Sequence, residues 1–376
     1  MAFGGDQKVR KRTDGKGQAI LAAGLALTLA LGAMSTARAE MVSAALVDTL
    51  GPAGAAQDTQ KRNEDTSETR AYRLSWGVRA IGADKLHALG LTGKGVTVAV
   101  IDSGLSGASA GLAGNISNAS IDIIPGRKDP AKTDRHAVYI AETLVGSPEG
   151  VGAVGVAYDA QVLSVRADSD GACKDECAFS ANNLTKALDY AVSKKVRIID
   201  LSLAGDEPLG QKFEAALGRA VKSGAVVIVA AGNDGKLQPA WPGRYAADPR
   251  FAGSVLAVGA VDKEGQMAAF SNRAGPARAA YISAPGKRVV TDCDADTCAL
   301  ISGTSFAAPH VAGALALLMQ AFPEMTGRQA VDLLLRSAQS GGGAQGDTVY
   351  GRGRLDVFHA YQMAMADRRD RNYASR

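Results

Sequence analysis

A serine hydroxyl becomes a nucleophile when a neighbouring base removes its proton. Ser305 follows a Gly-Thr turn and opens a long apolar segment that ends near Leu318, so the sequence predicts a serine at a helix N-terminus. Free backbone N–H groups and the helix dipole would stabilise negative charge there. A serine at such a position is more often a cap than a nucleophile. Whether Ser305 is a nucleophile therefore depends on whether other residues can act as its base and support the reaction.

Four histidines are present in the chain, and one of them is best suited to act as the base. His310 lies five residues beyond Ser305 on the same predicted helix and cannot easily reach back to its hydroxyl. His87 belongs to an N-terminal helical stretch and His359 to a C-terminal one. His136 opens an apolar helix directly after a polar loop. We therefore expect His136 to be the base.

A carboxylate and an amide stand at the ends of two apolar runs of strand length. Asp102 follows the run 96–101, and Asn233 comes shortly after the run 225–230. In open parallel sheets, functional groups gather at the carboxyl ends of the strands. We therefore expect Asp102 and Asn233 to lie at the same edge of a sheet.

The strands and helices that must position these residues follow from the hydrophobic pattern. Apolar runs of strand length alternate with segments of helical spacing, such as 182–193 and 213–222. Runs that are apolar on both faces, with helices between them, indicate a parallel sheet. The sequence predicts an α/β fold, a three-layer sandwich with a mostly parallel central sheet. The predicted strands are 96–101, 161–165, 198–203 and 225–230.

Three segments resemble the signature segments of the subtilisin-like (subtilase) serine protease family, in the same order. They are Gly-Val-Thr-Val-Ala-Val-Ile-Asp-Ser-Gly from Gly95, Ala-Ala-Gly-Asn from Ala230, and Gly-Thr-Ser-Phe-Ala-Ala-Pro-His-Val-Ala-Gly from Gly303. The similarity runs from about Trp76 to Tyr361. The resemblance implies a subtilisin-like fold and a serine endopeptidase that hydrolyses peptide bonds through an acyl-enzyme.

The resemblance also implies roles for individual residues. It implies a triad of Asp102, His136 and Ser305, with Asn233 as a side-chain donor to the oxyanion beside the Ser305 backbone N–H. It further implies a pocket for the substrate side chain before the scissile bond, with a cis Trp-Pro peptide near its floor. The walls of this pocket would be Ser202, Leu203, Ala204, Ala231 and Gly232, and the cis peptide would join Trp241 to Pro242.

The expected partners of such an enzyme are protein or peptide substrates, and we expect it to act as a monomer. The chemistry requires no cofactor. Structural calcium is common in the family, but no ligand cluster for calcium or another metal stands out in the sequence.

The segment that begins at His136 departs from the family pattern. The family usually has His-Gly-Thr-His-Val-Ala-Gly-Thr, and this chain has His-Ala-Val-Tyr-Ile-Ala-Glu-Thr. Ala137, Tyr139 and Glu142 could therefore change how the helix packs behind the imidazole. This departure leaves a second interpretation open, a catalytically silent secreted binding protein on a subtilisin scaffold.

An α/β-hydrolase esterase is a poorer interpretation of the same residue types. Such an enzyme places its serine in Gly-x-Ser-x-Gly and orders its triad as Ser, Asp, His. Here the context of Ser305 is Gly-Thr-Ser-Phe-Ala and the order is Asp, His, Ser.

The N-terminus predicts export of the protein. A Lys/Arg cluster precedes an apolar run at 19–33, and Ala37-Arg38-Ala39 has the small-x-small pattern of a signal peptidase site. The run is shorter than the ~20 residues that a membrane-spanning helix needs. We therefore expect a signal peptide at 1–39 and a protein secreted to the periplasm or the extracellular space, without stable membrane insertion after cleavage.

The remaining chain divides into three expected regions. Residues 40–75 are a polar extension or short propeptide, 76–363 the peptidase domain, and 364–376 a charged tail. The first 39 residues carry six of the 42 basic and two of the 38 acidic residues, so the remainder has no net charge. No nucleic-acid partner is implied.

Four cysteines in an exported protein predict disulfide bonds. Their spacing favours local pairs, Cys173 with Cys177 and Cys293 with Cys298. A zinc site is the alternative, although no histidine lies near these cysteines. The alternating aspartates at 292–296 resemble the start of a calcium loop, but the Gly and Glu that such a loop requires are missing.

Overall fold

The computed structural model describes residues 8–10, 40–43 and 69–374, with gaps at 106–109, 128–134, 150–151, 172, 174–176, 294–296 and 341–345. The apolar run and the cleavage site of the predicted signal peptide lie outside the described residues.

The strands of the described chain are named β1 to β14 in chain order. They are β1 (Lys8–Arg10), β2 (Glu40–Ser43), β3 (Thr97–Asp102), β4 (Ile121–Asp122), β5 (Gln161–Arg166), β6 (Ala178–Ser180), β7 (Ile198–Leu201), β8 (Val226–Ala230), β9 (Val255–Val261), β10 (Tyr281–Pro285), β11 (Val289–Thr291), β12 (Thr297–Ile301), β13 (Gln339–Ser340) and β14 (Gly353–Arg354).

The α-helices of the described chain are named α1 to α9. They are α1 (Arg70–Leu74), α2 (Trp76–Ala80), α3 (Ala83–His87), α4 (His136–Val145), α5 (Ala181–Ser193), α6 (Gly210–Lys222), α7 (Thr304–Ala321), α8 (Gly327–Ser337) and α9 (Val357–Ala374). Short 3-10 helices lie at Ala110–Asn115, Gly243–Ala247, Pro249–Phe251 and Gly275–Ala280.

Nine strands form one central sheet in the order β13-β14-β10-β9-β8-β7-β3-β5-β4. Eight of them run parallel, and β13 pairs antiparallel with β14 at one edge. A smaller antiparallel sheet joins β11, β12 and β2, and β1 pairs with β6. The mostly parallel sheet that the apolar runs predict is thus confirmed.

The two faces of the central sheet are covered by separate apolar layers. Val98 and Val100 of β3 pack into one core with residues of α4 and α7. Ala99 and Ile101 of the same strand pack into a second core with residues of α5 and α6. Successive strand residues point to opposite faces, which explains why β3 is apolar at every interior position. The protein is therefore an α/β sandwich of three layers.

Local signals explain where several helices begin. The Ser180 hydroxyl accepts a hydrogen bond from Asn183 N at the start of α5. Thr326 and Gln329 form a reciprocal capping box at the start of α8. Such caps satisfy backbone N–H groups that have no partner inside the helix. They fix the helix ends and hence the loops that lead to the sheet.

The structure differs from the sequence expectations at both ends of the main domain. Helix α1 precedes Trp76, where we expected the folded domain to begin, and it buries Ala71, Tyr72 and Leu74. Helix α9 continues to Ala374, through most of the region that we expected to be a charged tail. Among the described residues, no helix combines the length and the apolar character needed to cross a membrane.

Candidate active site

The site of interest lies where the chain changes direction across the central sheet. From β3 the chain reaches β5 on one side, and it then returns to β7 on the other side of β3. Open α/β sheets bind their ligands at the carboxyl ends of strands beside such a reversal. Asp102 is the last residue of β3 and lies at this point.

Asp102 and His136 form a buried pair. The His136 Nδ1 atom lies 2.9 Å from Asp102 Oδ2, and the side chains are 2% and 1% exposed. The other carboxylate oxygen, Oδ1, accepts hydrogen bonds from Ser103 N at 2.6 Å and Ser103 Oγ at 3.0 Å. These bonds fix the plane of the carboxylate, and the carboxylate in turn orients the imidazole.

His136 is the first residue of α4, and contacts of its neighbours and of its ring hold it in place. The residue before it, Arg135, forms an ion pair with Asp292, which follows β11. The imidazole also packs on the Phe306 ring, with 5.3 Å between the ring centroids. Phe306 directly follows Ser305. The second ring nitrogen, His136 Nε2, is buried on the side of the ring opposite to Asp102.

Ser305 is the second residue of α7 and is 2% exposed. It therefore lies in the first helical turn, where the backbone N–H groups have no partner within the helix. The imidazole of His136 pairs with Asp102 and packs near Phe306, the residue that directly follows Ser305.

Asn233 is held beside Ser305 through the neighbouring threonine. Its Oδ1 atom accepts hydrogen bonds from Thr304 N at 2.8 Å and from Thr304 Oγ1 at 2.9 Å. Thr304 Oγ1 also accepts from Gly232 N at 3.0 Å. Because these bonds engage the oxygen of the amide, the donor nitrogen Nδ2 is presented on the other side of the side chain.

The predicted pocket residues follow β7 and β8 and are buried. A backbone link joins the two segments, because Gly205 and Trp241 exchange hydrogen bonds of 2.7 and 2.9 Å and Ala240 N donates to Ala231 O at 2.7 Å. The Trp241-Pro242 peptide is cis, as the resemblance implies. The residues concerned are Ser202, Leu203, Ala204, Ala231 and Gly232.

Glycine is required at position 232 for two reasons. Its φ of 101° is a conformation that L side chains rarely adopt. A Cβ atom there would also lie 2.5 Å from Asn272 Nδ2 and 2.9 Å from Ala240 Cβ. The backbone on this side of the pocket can approach closely only because position 232 has no side chain.

The residues of α4 that depart from the family pattern pack against the β11–β12 region. Glu142 is buried, and its Oε2 atom accepts a hydrogen bond from Asp292 N at 3.1 Å. Tyr139 makes an edge contact with Phe306 at 6.4 Å between ring centroids. These substitutions therefore hold α4 in place and leave the pairing of His136 with Asp102 intact.

The other histidines have structural partners. His310 Nδ1 donates to Phe306 O at 2.8 Å, and burial lowers the pKa of this imidazole to about 4. His87 lies 2.8 Å from Tyr72 Oη and 2.9 Å from Val156 O. His359 Nδ1 lies 3.0 Å from Ser337 O. These contacts agree with the elimination that selected His136.

Three residues that contribute to the site were not among the sequence predictions. Ser103 orients Asp102 and Thr304 orients Asn233, although both lie inside the quoted segments as direct neighbours of predicted residues. Asp200 is a fully buried carboxyl on β7. An acidic residue inside the apolar run 198–203 was the signal that could have identified it.

Both local disulfide pairs are present, Cys173–Cys177 and Cys293–Cys298. This pairing favours disulfides over the zinc alternative, because a disulfide sulfur is not the thiolate that binds zinc. Asp168 and the first pair of sulfurs do lie within 4.8 Å of one another. However, Asp168 is engaged by the guanidinium groups of Arg127 and Arg166.

A buried Ser, His and Asp at the carboxyl edge of a parallel sheet, in the chain order Asp, His, Ser, is typical of a serine hydrolase of the subtilisin type. The sequence model of the subtilase family matches residues 93–353. The chain therefore belongs to the subtilase family and is a serine endopeptidase.

Individual relatives agree with this assignment. Subtilisin BL of Lederbergia lenta is 31% identical over 291 residues, which cover 76% of this chain and 98% of the relative. Subtilisin E of Bacillus subtilis (strain 168) is 31% identical over 299 residues, 78% of this chain and 72% of the relative. The solved structure of the prenylagaramide maturation protease PagA superimposes with a TM-score of 0.60 at 26% identity, over 75% of this chain and 98% of that one.

Proposed function

We propose that this endopeptidase cleaves peptide bonds through an acyl-enzyme on Ser305, with His136 as the general base and Asp102 as the residue that orients it. The observation that carries the proposal is the buried 2.9 Å pairing of His136 with Asp102, on an imidazole that packs against the residue next to Ser305. A base must be both oriented and adjacent to its nucleophile, and the pairing with Asp102 and the packing near Phe306 support both conditions.

In the first half of the reaction, Ser305 Oγ attacks the peptide carbonyl carbon while its proton passes to His136 Nε2. Asp102 accepts the hydrogen bond from Nδ1 and stabilises the imidazolium. The peptide C–N bond then breaks as His136 gives the proton to the leaving amine. Water then attacks the acyl carbon and loses a proton to His136. The ester bond to Ser305 breaks, His136 returns the proton to Ser305 Oγ, and the acid product leaves. No cofactor is needed for these steps.

Negative charge develops on the carbonyl oxygen of the substrate in the tetrahedral intermediate. We assign its stabilisation to Asn233 Nδ2 and to the backbone N–H of Ser305. The hydrogen bonds from Thr304 to Asn233 Oδ1 support this assignment, because they orient the amide before the substrate arrives. Such preorganised donors are worth ~10²–10³ in turnover each.

Protein or peptide substrates would insert the side chain that precedes the scissile bond between the segments after β7 and β8. Ser202, Leu203 and Ala204 would form one wall, and Ala231 with Gly232 the other. The backbone link between Gly205 and Trp241 supports this role, because it fixes the separation of the two segments.

Hydrolysis of casein by the purified mature protein tests the proposal. Ser305→Ala should abolish hydrolysis, and His136→Ala should reduce it by more than a thousandfold. Ser302→Ala is the matched control, since this serine lies in the same turn but outside the triad, and its activity should stay within about twofold. Full activity in a folded Ser305→Ala protein would exclude Ser305 as the nucleophile.

The protein acts outside the cytoplasm under this proposal. The disulfides support export, and the N-terminal pattern supports a signal peptide at 1–39 with removal near Ala39. N-terminal sequencing of the protein collected outside the cytoplasm should begin at or beyond Glu40. Recovery of a chain that retains residues 1–39 would contradict this assignment.

A further inference from the structure

Asp200 is a carboxyl group in the centre of the sheet that the proposed chemistry does not use. It is the third residue of β7, with Val100 of β3 and Ile228 of β8 as its register partners on either side. Both partners belong to the apolar core that also contains α7. Paired residues of parallel strands point to the same face of a sheet. The Asp200 side chain therefore enters an apolar layer, where its own exposure is 0%.

The two oxygens of Asp200 have different surroundings. Oδ2 lies 2.7 Å from Ser202 Oγ, close enough for a short hydrogen bond. Oδ1 is buried and has no hydrogen-bond partner among the described residues. Burial of a carboxylate without compensating donors is expensive, whereas a neutral acid leaves only a carbonyl oxygen unsatisfied. The contacts of Asp200 therefore favour the protonated carboxyl over the carboxylate.

The charged neighbours of Asp200 also disfavour the anion. Asp102 lies two residues beyond Val100 on β3 and so occupies the same face of the sheet. Strand β8 has no ionisable side chain, and the one ionisable residue of α7, His310, donates to a backbone carbonyl. On α4, Glu142 bonds to Asp292 N, and His136 is paired with Asp102.

These surroundings raise the pKa of the Asp200 carboxyl. Burial is the largest cause and raises the pKa of the Asp200 carboxyl to about 8. The hydrogen bond with Ser202 lowers this pKa, and the nearby charge of Asp102 raises it. A carboxylic acid can be kept neutral at pH 7 in this way so that it acts as a hydrogen-bond donor.

We infer that Asp200 is a protonated acid in the resting enzyme, and that it donates its proton to Ser202 Oγ and so positions the first residue of the substrate pocket. Asp200 is thus a positioning residue, since it acts on the substrate through Ser202. This inference rests on the proposed function only in its use of Ser202 as a pocket wall.

Loss of the proton would disturb the pocket more than the triad. The anion would lie on the same face of the sheet as Asp102, with Oδ1 lacking a donor, and it could relax only by moving or by admitting water. Either change displaces Ser202 at the end of β7. We therefore expect substrate binding to weaken above about pH 8, while the bond-breaking steps at Ser305 change less.

Steady-state kinetics on a peptide substrate between pH 6 and 10 test this inference. In the wild type, KM should rise about tenfold between pH 7 and 10, and kcat should change less than threefold. Asp200→Asn cannot ionise but can still donate to Ser202, so its KM should stay constant within about twofold over the same range. Asp189→Asn is the control, because Asp189 is exposed and pairs with Arg219, and its profile should follow the wild type. A rise of KM in Asp200→Asn equal to that of the wild type would overturn the inference.

Infrared spectroscopy tests the protonation without any assay of activity. The wild-type difference spectrum between pH 7 and 10 should contain the carbonyl band of a protonated carboxylic acid, and this band should be missing from Asp200→Asn. Absence of the band in wild type would overturn the inference even if the enzyme cleaves peptides. If the band is present in a protein that does not cleave peptides, the proposed function is contradicted. The protonation of Asp200 at pH 7 is established in that case all the same.

Discussion

At the scale of single residues, the polar groups of the site are anchored by neighbouring side chains. Asp102 uses one oxygen for Ser103 and the other for His136, and Asn233 uses its oxygen for Thr304. The imidazole Nε2 and the amide Nδ2 are then directed away from these anchors. Preorganisation of this kind avoids reorganisation during the reaction.

Asn233→Asp separates the anchoring role of this residue from its role as a donor. The variant keeps an oxygen for Thr304 N and Oγ1 but replaces the donor nitrogen with an acceptor. We expect kcat to fall by ~10²–10³ and KM to change less than threefold, because the lost bond is made only in the transition state. Thr304→Ser is the control and should retain kcat within tenfold. Steady-state kinetics that show a kcat of Asn233→Asp within tenfold of wild type would contradict the oxyanion assignment.

The sequence allowed a candidate site residue to be named where the residue directly follows a predicted strand or lies in a motif of the family. Asp102 and Asn233 could be found because each follows an apolar run. Ser103 and Thr304 could not be assigned their roles, because a hydrogen bond to a neighbouring side chain depends on rotamers that sequence patterns do not specify. Asp200 was not identified as a candidate. The apolar pattern of its strand predicts that the strand is buried, but it does not show which groups contact a buried carboxyl.

At the scale of elements, α4 carries His136 and is attached at two points to the turn after β11. Arg135 forms an ion pair with Asp292, and Glu142 accepts from the backbone N–H of the same residue. The Cys293–Cys298 disulfide links the residue after Asp292 to β12. The position of the base thus depends on contacts between two elements that are far apart in the chain.

Glu142→Ala should destabilise the protein more than Glu142→Gln. Alanine removes the acceptor and leaves the partly buried Asp292 N–H without it, at a cost of about 1–3 kcal/mol in the free energy of unfolding. Glutamine keeps an oxygen at this position and should cost about half as much. Urea unfolding curves of the two variants, with m-values compared to wild type, measure the difference. Equal losses in the two variants would show that the hydrogen bond to Asp292 does not stabilise α4.

The alternating apolar runs and helical spacings predicted the elements of the central layers. Helix α5 begins at Ala181, one residue before the predicted start, and α6 begins at Gly210, three residues before it. Helix α1, which buries Ala71, Tyr72 and Leu74, was not predicted. Its five residues make little more than one turn, which is too short to show a helical repeat in the sequence. Its structure depends on the core against which it packs.

At the scale of the whole molecule, two apolar cores enclose ionisable groups that must be neutral in the folded state. His310 is 2% exposed, and burial lowers its pKa from the usual 6.5 to about 4. His87 is also buried, and burial lowers its pKa as well. The unfolded chain binds a proton at each imidazole before the folded protein does, so acid favours unfolding.

His310 should make the free energy of unfolding fall as the pH decreases. The contribution is complete above pH 6.5, where both states are neutral, and it is lost between about pH 6.5 and 4, where only the unfolded state is protonated. The total is about 3 kcal/mol for a shift of this size. Urea unfolding at pH 7 and pH 4.5 should show a smaller pH dependence in His310→Gln than in wild type. An identical pH dependence would mean that His310 is not neutral in the core.

The order of the strands in the sheet could not be read from the sequence. The predicted runs indicate a parallel sheet, but the placement of β3 between β5 and β7 is a property of the folded chain. Right-handed crossovers restrict the possibilities without selecting one. The family resemblance, which depends on three motifs in a fixed order, implied a subtilisin-like fold but was not used to predict the strand order.

The central claim is that Ser305 is a nucleophile activated by His136 and Asp102, and covalent labelling tests it most directly. A fluorophosphonate probe should modify the folded mature protein at a single site, and mass spectrometry of the peptides should locate the adduct on Ser305. Ser305→Ala should show no labelling, and Asp102→Asn should label at least a hundredfold more slowly, because its histidine is held in the wrong tautomer. Folded wild-type protein that remains unlabelled, or an adduct on another residue, would contradict the account.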